Sequence, residues 1–461
     1  DNYTLPGLRV GLSGYYGQSM HNAVPHDMEK GKNKKVKGNV YLGAIDFTYN
    51  AHNWVARGNA DYGYVSDANT ISAMRKPNTQ YVKPYQTNQA FGSHAIATSI
   101  EVGYDVFSQI AKLRADRQKL YVFGHFEYYN SYLGGSKEYT SKKIFAGGIN
   151  YYPMPQICVK AEYNYRKFKA QYNDELLSRT LCVIIFIKQI SNNNNIIITK
   201  KMKKSEILSM TCAVLALSPL AMQAQTVAAD SVMQHSKGNR LSVGGYGEVA
   251  LSRNFYSDSG NRYSSASSRK NDPSHGRFDI PHAVIYLGYD FGKGWTLGTE
   301  IEFEHGGTGS AIEYEAEESI EFEQEQERGG EVELEQFWIQ KSFGRFANIR
   351  AGHIVVPVGL TNAYHEPLNF FTVYRPEGEN TILPCTWHQT GVSFWGLSGD
   401  FRYELQMIAG LDAWQFSRDK WINPGTTKPF EFETANKYGF SARIDNYTLP
   451  GLRVGLSGYY G

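Results

Sequence analysis

The chain has 461 residues, a formal net charge of +2, 41% hydrophobic and 14% aromatic residues, and is rich in Tyr (33) and Gly (45). So near-neutral a balance gives no electrostatic case for nucleic-acid binding, and outside 207–221 no run approaches the roughly 18–20 apolar residues of a membrane-spanning helix. Tyrosine and glycine at this level favour many strands over helices, and the composition leaves room for a β-barrel, whose apolar signal is spread over short alternating segments.

Residues 1–17, DNYTLPGLRVGLSGYYG, recur letter for letter at 445–461, so the strand predicted over 8–16 is a second copy of one over 452–460. Period-two alternation then predicts strands over 40–49, 54–66, 95–107, 119–130, 143–151 and 157–168. The last puts Ile157, Val159, Ala161, Tyr163 and Tyr165 on one face and Lys160, Glu162, Asn164 and Arg166 on the other. After Glu175 comes Leu181-Cys182-Val183-Ile184-Ile185-Phe186-Ile187, apolar on both faces and a poor match to a half-wet strand, inside a 176–201 segment biased to Asn, Ile and Lys.

Met202–Gln225 reads as a secretory signal peptide, with Lys203 and Lys204 ahead of an apolar run and small residues at its exit. A leader works when it emerges first, so with the terminal repeat it indicates a wrapped-around order. The natural start is then Met202, and the chain continues from Gly461 into Gln18 and finishes near Glu175. On that reading 226–461 is the N-terminal part of the fold, 1–175 the C-terminal part, and 176–201 a linker or spurious segment. A tandem duplication, a circular assembly or a frameshift each produces this order.

Beyond the leader, strands are predicted over 240–252, 281–291, 295–305, 331–342, 347–356, 391–397, 400–411, 436–445 and 452–460. Tight corners such as Gly292-Lys293-Gly294 and Ser398-Gly399 alternate with long connections at 253–279, 306–330, 357–390, 412–435, 18–39, 67–94 and 131–142. Strict alternation of short and long connections is the signature of a transmembrane antiparallel β-barrel, all-β in class. Fifteen strands are visible, and a bacterial barrel closes on an even number, so the expectation is about sixteen, in permuted order, with one strand duplicated. Of the four cysteines, Cys158, Cys182, Cys212 and Cys385, none shows zinc spacing or a disulfide framework.

The stretches Glu335-Gln336-Phe337-Trp338-Ile339-Gln340, Ile349-Arg350-Ala351-Gly352-His353 and Pro357-Val358-Gly359-Leu360 resemble the phosphate-selective porin O and P family. So do Phe370-Phe371-Thr372-Val373-Tyr374-Arg375-Pro376 and Trp387-His388-Gln389-Thr390-Gly391-Val392, within a likeness covering roughly 335–396. The resemblance implies a sixteen-stranded, trimeric porin whose third long loop, here 357–390, folds into the pore. One departure stands against phosphate selectivity: from 300 to 335 there are 14 Glu and one Arg.

Among the candidate pore residues, antiparallel pairing brings Glu300, Glu302 and Glu304 near Glu331, Glu333 and Glu335, an acidic wall that either stays hydrated or recruits a hard cation such as Ca²⁺. Lumen-phase Arg57, Arg350, Arg402, Arg443 and Arg453, with its copy Arg9, form a basic ladder facing it, or else pair individually with acids such as Glu404 or Asp61. In the inward loop, His365, Glu366, Arg375, Glu377, Glu379 and His388 are constriction candidates. Lys30, Lys32, Lys34, Lys35 and Lys37 make one external loop basic enough to meet anionic lipopolysaccharide. No motif favours a lipase or protease, and the chain reads as a non-enzyme. The expected function is passive diffusion of small hydrophilic solutes or ions across the outer membrane, non-specific or weakly cation-preferring. The alternatives are a binding or adhesion barrel with a closed lumen, and a phosphate- or anion-selective porin.

Overall fold

A computed structural model describes residues 8–19, 37–74, 90–134, 140–168, 175–190, 233, 240–255, 276–307, 312–313, 327–328, 330–413, 415–426, 438–447 and 452–456. The strands are β1 (Leu8–Gln18), β2 (Asn39–Ala51), β3 (Trp54–Val65), β4 (His94–Asp105), β5 (Lys119–Asn130), β6 (Ser141–Met154) and β7 (Ile157–Phe168). They continue with β8 (Glu175–Ile190), β9 (Leu241–Asn254), β10 (Gly276–Asp279), β11 (His282–Gly292), β12 (Trp295–Glu304), β13 (Ile312–Glu313) and β14 (Glu327–Arg328). The last six are β15 (Val332–Ser342), β16 (Asn348–Val355), β17 (His388–Ser398), β18 (Phe401–Ala409), β19 (Tyr438–Asn446) and β20 (Leu452–Leu456).

From β9 the antiparallel pairings run through β11, β12, β15, β16, β17, β18 and β19. They pass to β1 and on through β2 to β8, and β8 returns to β9. The ring therefore closes on sixteen strands, a transmembrane antiparallel β-barrel with both halves of the chain in one sheet. No helix among the described residues is long and apolar enough to cross a membrane. The proposed leader, 202–225, and the basic loop's Lys30, Lys32, Lys34 and Lys35 lie outside the described residues.

The two faces of the barrel follow from alternation. Ile45, Tyr62, Ile100, Val122, Phe145, Tyr163, Val249, Ile339, Leu405 and Met407 are exposed on the outside, where lipid replaces water. Aromatic residues gather towards both rims: Trp54 against Tyr104 near the short turns, and Tyr41, Tyr64 and His94 near the long loops. Asp46, Arg57, Glu101, Glu127, Lys160, Glu162, Glu248, Glu300, Glu404 and Arg443 alternate with the outward residues and are buried inside.

Two expectations change. The closing strand is β8, so residues 176–190 are part of the barrel wall and not a linker. Its inward residues Leu181 and Val183 are apolar because they pack with Cys158 and Ala250 beneath Val373 of the 356–387 segment, so no water meets them. The duplicated strand settles in one slot: β1 spans it between β19 and β2, while the identical β20 meets the same partners in the same register. Thr48 lies opposite both Arg9 and Arg453, and Asp445 opposite both Gly11 and Gly455.

Candidate functional site: the loop inside the barrel

Between β16 and β17 the chain leaves the wall and runs through short helical turns at Leu360–Ala363, Pro367–Asn369 and Glu377–Ile382. An irregular segment has few ladder partners for its backbone amides and carbonyls, and buried ones must still be satisfied. Here the inward charges of the wall satisfy them. Lys160 Nζ, fully buried, donates to the carbonyls of Pro367 (2.6 Å), Phe370 (2.8 Å) and Thr372 (2.8 Å), and sits 4.3 Å from the Phe370 ring centroid. In return the amides of Phe371, Val373 and Gly378 donate to Glu101 (3.1 Å), Glu162 (3.0 Å) and Glu127 (2.7 Å). Across the barrel, Arg443 donates to the carbonyl of Gly359 (3.3 Å) while paired with Asp46 (3.0 Å) and Asp445 (3.0 Å).

Glycines give the loop its seats. Phe371 lies on the inner face of Gly103, where a Cβ would collide with its ring, and stacks on Phe123 at 5.3 Å. Gly359 holds a left-handed φ of 83° against the Glu379 carboxylate, which accepts from the Thr361 amide at 2.9 Å.

The loop's charges complement the wall it faces. Its one carboxylate towards β6 and β7, Glu377, accepts from Tyr129 (2.8 Å) and pairs with Lys142 and with Arg166 (3.0 Å). Burial works against ionisation there, but Arg166 and Lys142 hold the Glu377 carboxyl down at about 2. Burial pushes Glu379 up to about 7, against the pull of the Thr361 amide and with the help of Asp46. Its cations face the acidic wall on β12 and β15: Arg375 lies 3.9 Å from Glu302, and His365 lies 3.8 Å from Glu300. Burial lowers the His365 imidazole, yet Glu300, Glu366 and Glu335 together bring it to about 9.

The acidic wall is therefore divided. Glu300, Glu302 and Glu335 are sealed beneath the loop, while Glu304, Glu331 and Glu333 are half-buried. A bulge opposite Glu300 and Ile301 explains Glu335, because the extra residue turns both Glu335 and Gln336 inward. The arginines form no bare ladder. Arg57 pairs with Glu101 (3.0 Å), Arg402 with Glu404 (2.6 Å), and Arg350 lies over the Trp338 ring at 4.1 Å. The side chains of Arg9 and Arg453 lie outside the described residues. His388 Nδ1 is 2.5 Å from His353 Nε2, and Glu366 accepts from Asn369 at 2.6 Å. Sequence reading places Lys160, Glu162 and Arg166 on one face without assigning them a task, and misses Glu101, Glu127 and Lys142; inward-phase charge is the signal that could have found them.

Two regions flank the loop. On the short-turn side a cavity of about 510 Å³ is lined by Arg57, Arg114, Arg117 and Lys119, with Phe370 and Phe371 at its floor. On the long-loop side, Leu411, Phe416, Trp421 and Ile422 pack in one apolar cluster with Val40, Leu42, Val65, Ala95, Ala97 and Leu383. Trp421 covers Gly63, where a Cβ would fall inside its ring.

Pairings and loop together define the class: a sixteen-stranded transmembrane β-barrel with a loop docked in its interior. No protein-family model matches the chain. An uncharacterized protein of Aquifex aeolicus (strain VF5) is 31% identical over 233 residues, 50% of this chain and 46% of the relative, so the chain spans about half that relative's length. Among solved structures, the siderophore receptor PirA from Pseudomonas aeruginosa aligns at 8% identity over 97% of this chain and 70% of that one, with a TM-score of 0.30. The ferric yersiniabactin uptake receptor FyuA from Yersinia pestis aligns at 8% over 96% and 62%, with a TM-score of 0.25. Likenesses this distant carry no argument, and the barrel stands on its own strand pairings.

Proposed function

We propose that this chain is an outer-membrane diffusion porin that passes small hydrophilic solutes without covalent chemistry. The observation that carries the reading is the 356–387 segment held across a charged interior, beside a cavity of about 510 Å³ at the short-turn end with Arg57, Arg114, Arg117 and Lys119 in its lining. Because Arg375 and His365 face the acidic wall and the accessible cavity is basic, the interior supports non-specific passage better than cation preference. The porin O and P resemblance adds trimeric assembly to the proposal, and the lysines of the 18–39 loop add contact with anionic lipopolysaccharide. Purified protein in a planar bilayer is expected to give stepwise conductance with a reversal potential close to zero in a salt gradient. Silence at every voltage refutes the porin, and a strongly cation-selective reversal potential refutes the charge assignment.

A second reading, a binding or adhesion barrel with a closed lumen, is favoured by the apolar cluster around Trp421. It requires that conductance be absent and that removing this cluster, for example in Trp421→Ala, open the channel.

A further inference from the structure

The loop and the acidic wall meet in a cluster that the contacts above leave incomplete. Glu300 and Glu335 on the wall and His365 on the loop have ligand-type atoms all within 4.8 Å of one another, and all three residues are buried, with at most 1% of their surface exposed. Each is anchored through one atom. Gln336 donates to Glu300 Oε2, Thr386 donates to Glu335 Oε1, and His365 Nδ1 donates to the Asn362 carbonyl at 3.1 Å. The other atom of each, Glu300 Oε1, Glu335 Oε2 and His365 Nε2, has no hydrogen-bond partner among the described residues.

We propose that Glu300, Glu335 and His365 bind one divalent transition-metal ion of the zinc class, which clips the inward loop to the barrel wall.

Three observations converge on this. An imidazole whose Nδ1–H is held by a carbonyl points Nε2 in a fixed direction, and a metal ion that displaces the proton there meets the usual outer arrangement of a ligating histidine. The hydrogen bonds from Gln336 and Thr386 do the same for the carboxylates. Spacing is the second: ligand bonds of about 2.0–2.2 Å in tetrahedral geometry place ligand atoms about 3.4 Å apart, close to the 3.8 Å between His365 Nε2 and Glu300 Oε1. Charge is the third. Glu300, Glu302 and Glu335 are buried together with Arg375 at 3.9 Å from Glu302, so a divalent ion brings three carboxylates and one guanidinium to balance. A nitrogen ligand among two carboxylates suits zinc, manganese or iron better than the calcium that an all-carboxylate wall would hold. The bulge that turns Glu335 inward is what brings the second carboxylate into reach.

The full chain, purified in detergent without chelator, is loaded with Zn²⁺ or Ca²⁺, desalted, and its metal counted by mass spectrometry. About one equivalent of zinc and little calcium are expected, with at least a tenfold fall in retained zinc for Glu335→Gln and for His365→Ala. Heat-modifiable migration on gels reports whether each variant is still a folded barrel, and Glu300→Gln serves if either is not. His282→Ala, at the neighbouring Glu248 contact, is expected to retain zinc. A folded chain that keeps no transition metal, a proton at His365 alone balancing the carboxylates, overturns the proposal. So does calcium retained in preference to zinc, or zinc retained undiminished in the folded cluster variants. The readout does not depend on conductance, so a silent channel that binds zinc leaves this assignment standing.

Discussion

Replacing Lys160 by methionine tests whether the inward loop is held by the wall. The substitution keeps the apolar stem and removes the ammonium that donates to the carbonyls of Pro367, Phe370 and Thr372 at 2.6–2.8 Å. Each buried carbonyl left without a donor costs about 1–3 kcal/mol. Two of them lie next to residues whose amides remain bound, Phe371 to Glu101 and Val373 to Glu162, so the loop cannot turn all three towards water without breaking those bonds as well. Taking the low end for each carbonyl, docking weakens by about 3 kcal/mol, roughly a hundredfold in the open population. Hydrogen exchange read by mass spectrometry on peptides covering 367–378 reports that population directly. Exchange there is expected to accelerate roughly a hundredfold while wall strands across the barrel from Lys160, such as β18, stay protected. If peptides 367–378 exchange as slowly in Lys160→Met as in the parent, the wall does not hold the loop through this residue, and the docking scheme fails.

Gly103→Val places a side chain where the Phe371 ring now sits, an overpacking worth about 1–3 kcal/mol. Faster chymotrypsin cleavage after Tyr374 is expected, and an unchanged rate would show that the ring is not seated there. The Glu377 carboxyl is held at about 2, below its ordinary 4.5, so its contribution is fully present above pH 4.5 and is lost as pH falls towards 2. Loop protection, taken against the intrinsic exchange rate at each pH, should therefore fall across that window, and Glu377→Gln should flatten the fall; a parent loop equally protected at pH 5 and pH 2.5 contradicts the assignment. Because β1 and β20 meet the same partners in register, deleting 1–17 or deleting 448–461 should each leave a heat-modifiable barrel, and deleting both should not. Loss of the barrel on either single deletion would show that the two copies are not interchangeable.

Alternation makes the wall legible because one face meets lipid and the other does not, so every strand from β2 to β7 and β9 to β19 that closes the ring carries its phase in its residues. The same rule fails at β8. Its inward Leu181 and Val183 are apolar because Val373, nearly 200 positions away in the chain, covers them, and a period-two pattern contains no term for a distant loop. A strict period-two pattern can put only one of Glu335 and Gln336 on the inner face; that both point inward depends on a bulge at Glu335 that no local motif announces. The acidic stretch is visible as charge, whereas its division into sealed and half-buried carboxylates depends on where Arg375 and His365 land.

That division also explains why so many charges are buried in this barrel. A regular strand satisfies its backbone within the sheet, but a loop folded into the lumen arrives with free amides and carbonyls at membrane depth. Apolar wall residues would bury those groups unpaired; neutral polar ones would bind them weakly. Charged side chains of both signs do it with charge-assisted bonds, carboxylates for the amides and Lys160 or Arg443 for the carbonyls. The interior charge pattern is thus a template for one loop conformation, and any selectivity the barrel has must arise from the charges that template leaves over. At the short-turn end these are Arg114, Arg117 and Lys119 around the cavity, so neutralising the three together should move the reversal potential towards cations. A potential that does not move would place the narrowest part of the path elsewhere, beyond Phe371 and towards the long loops.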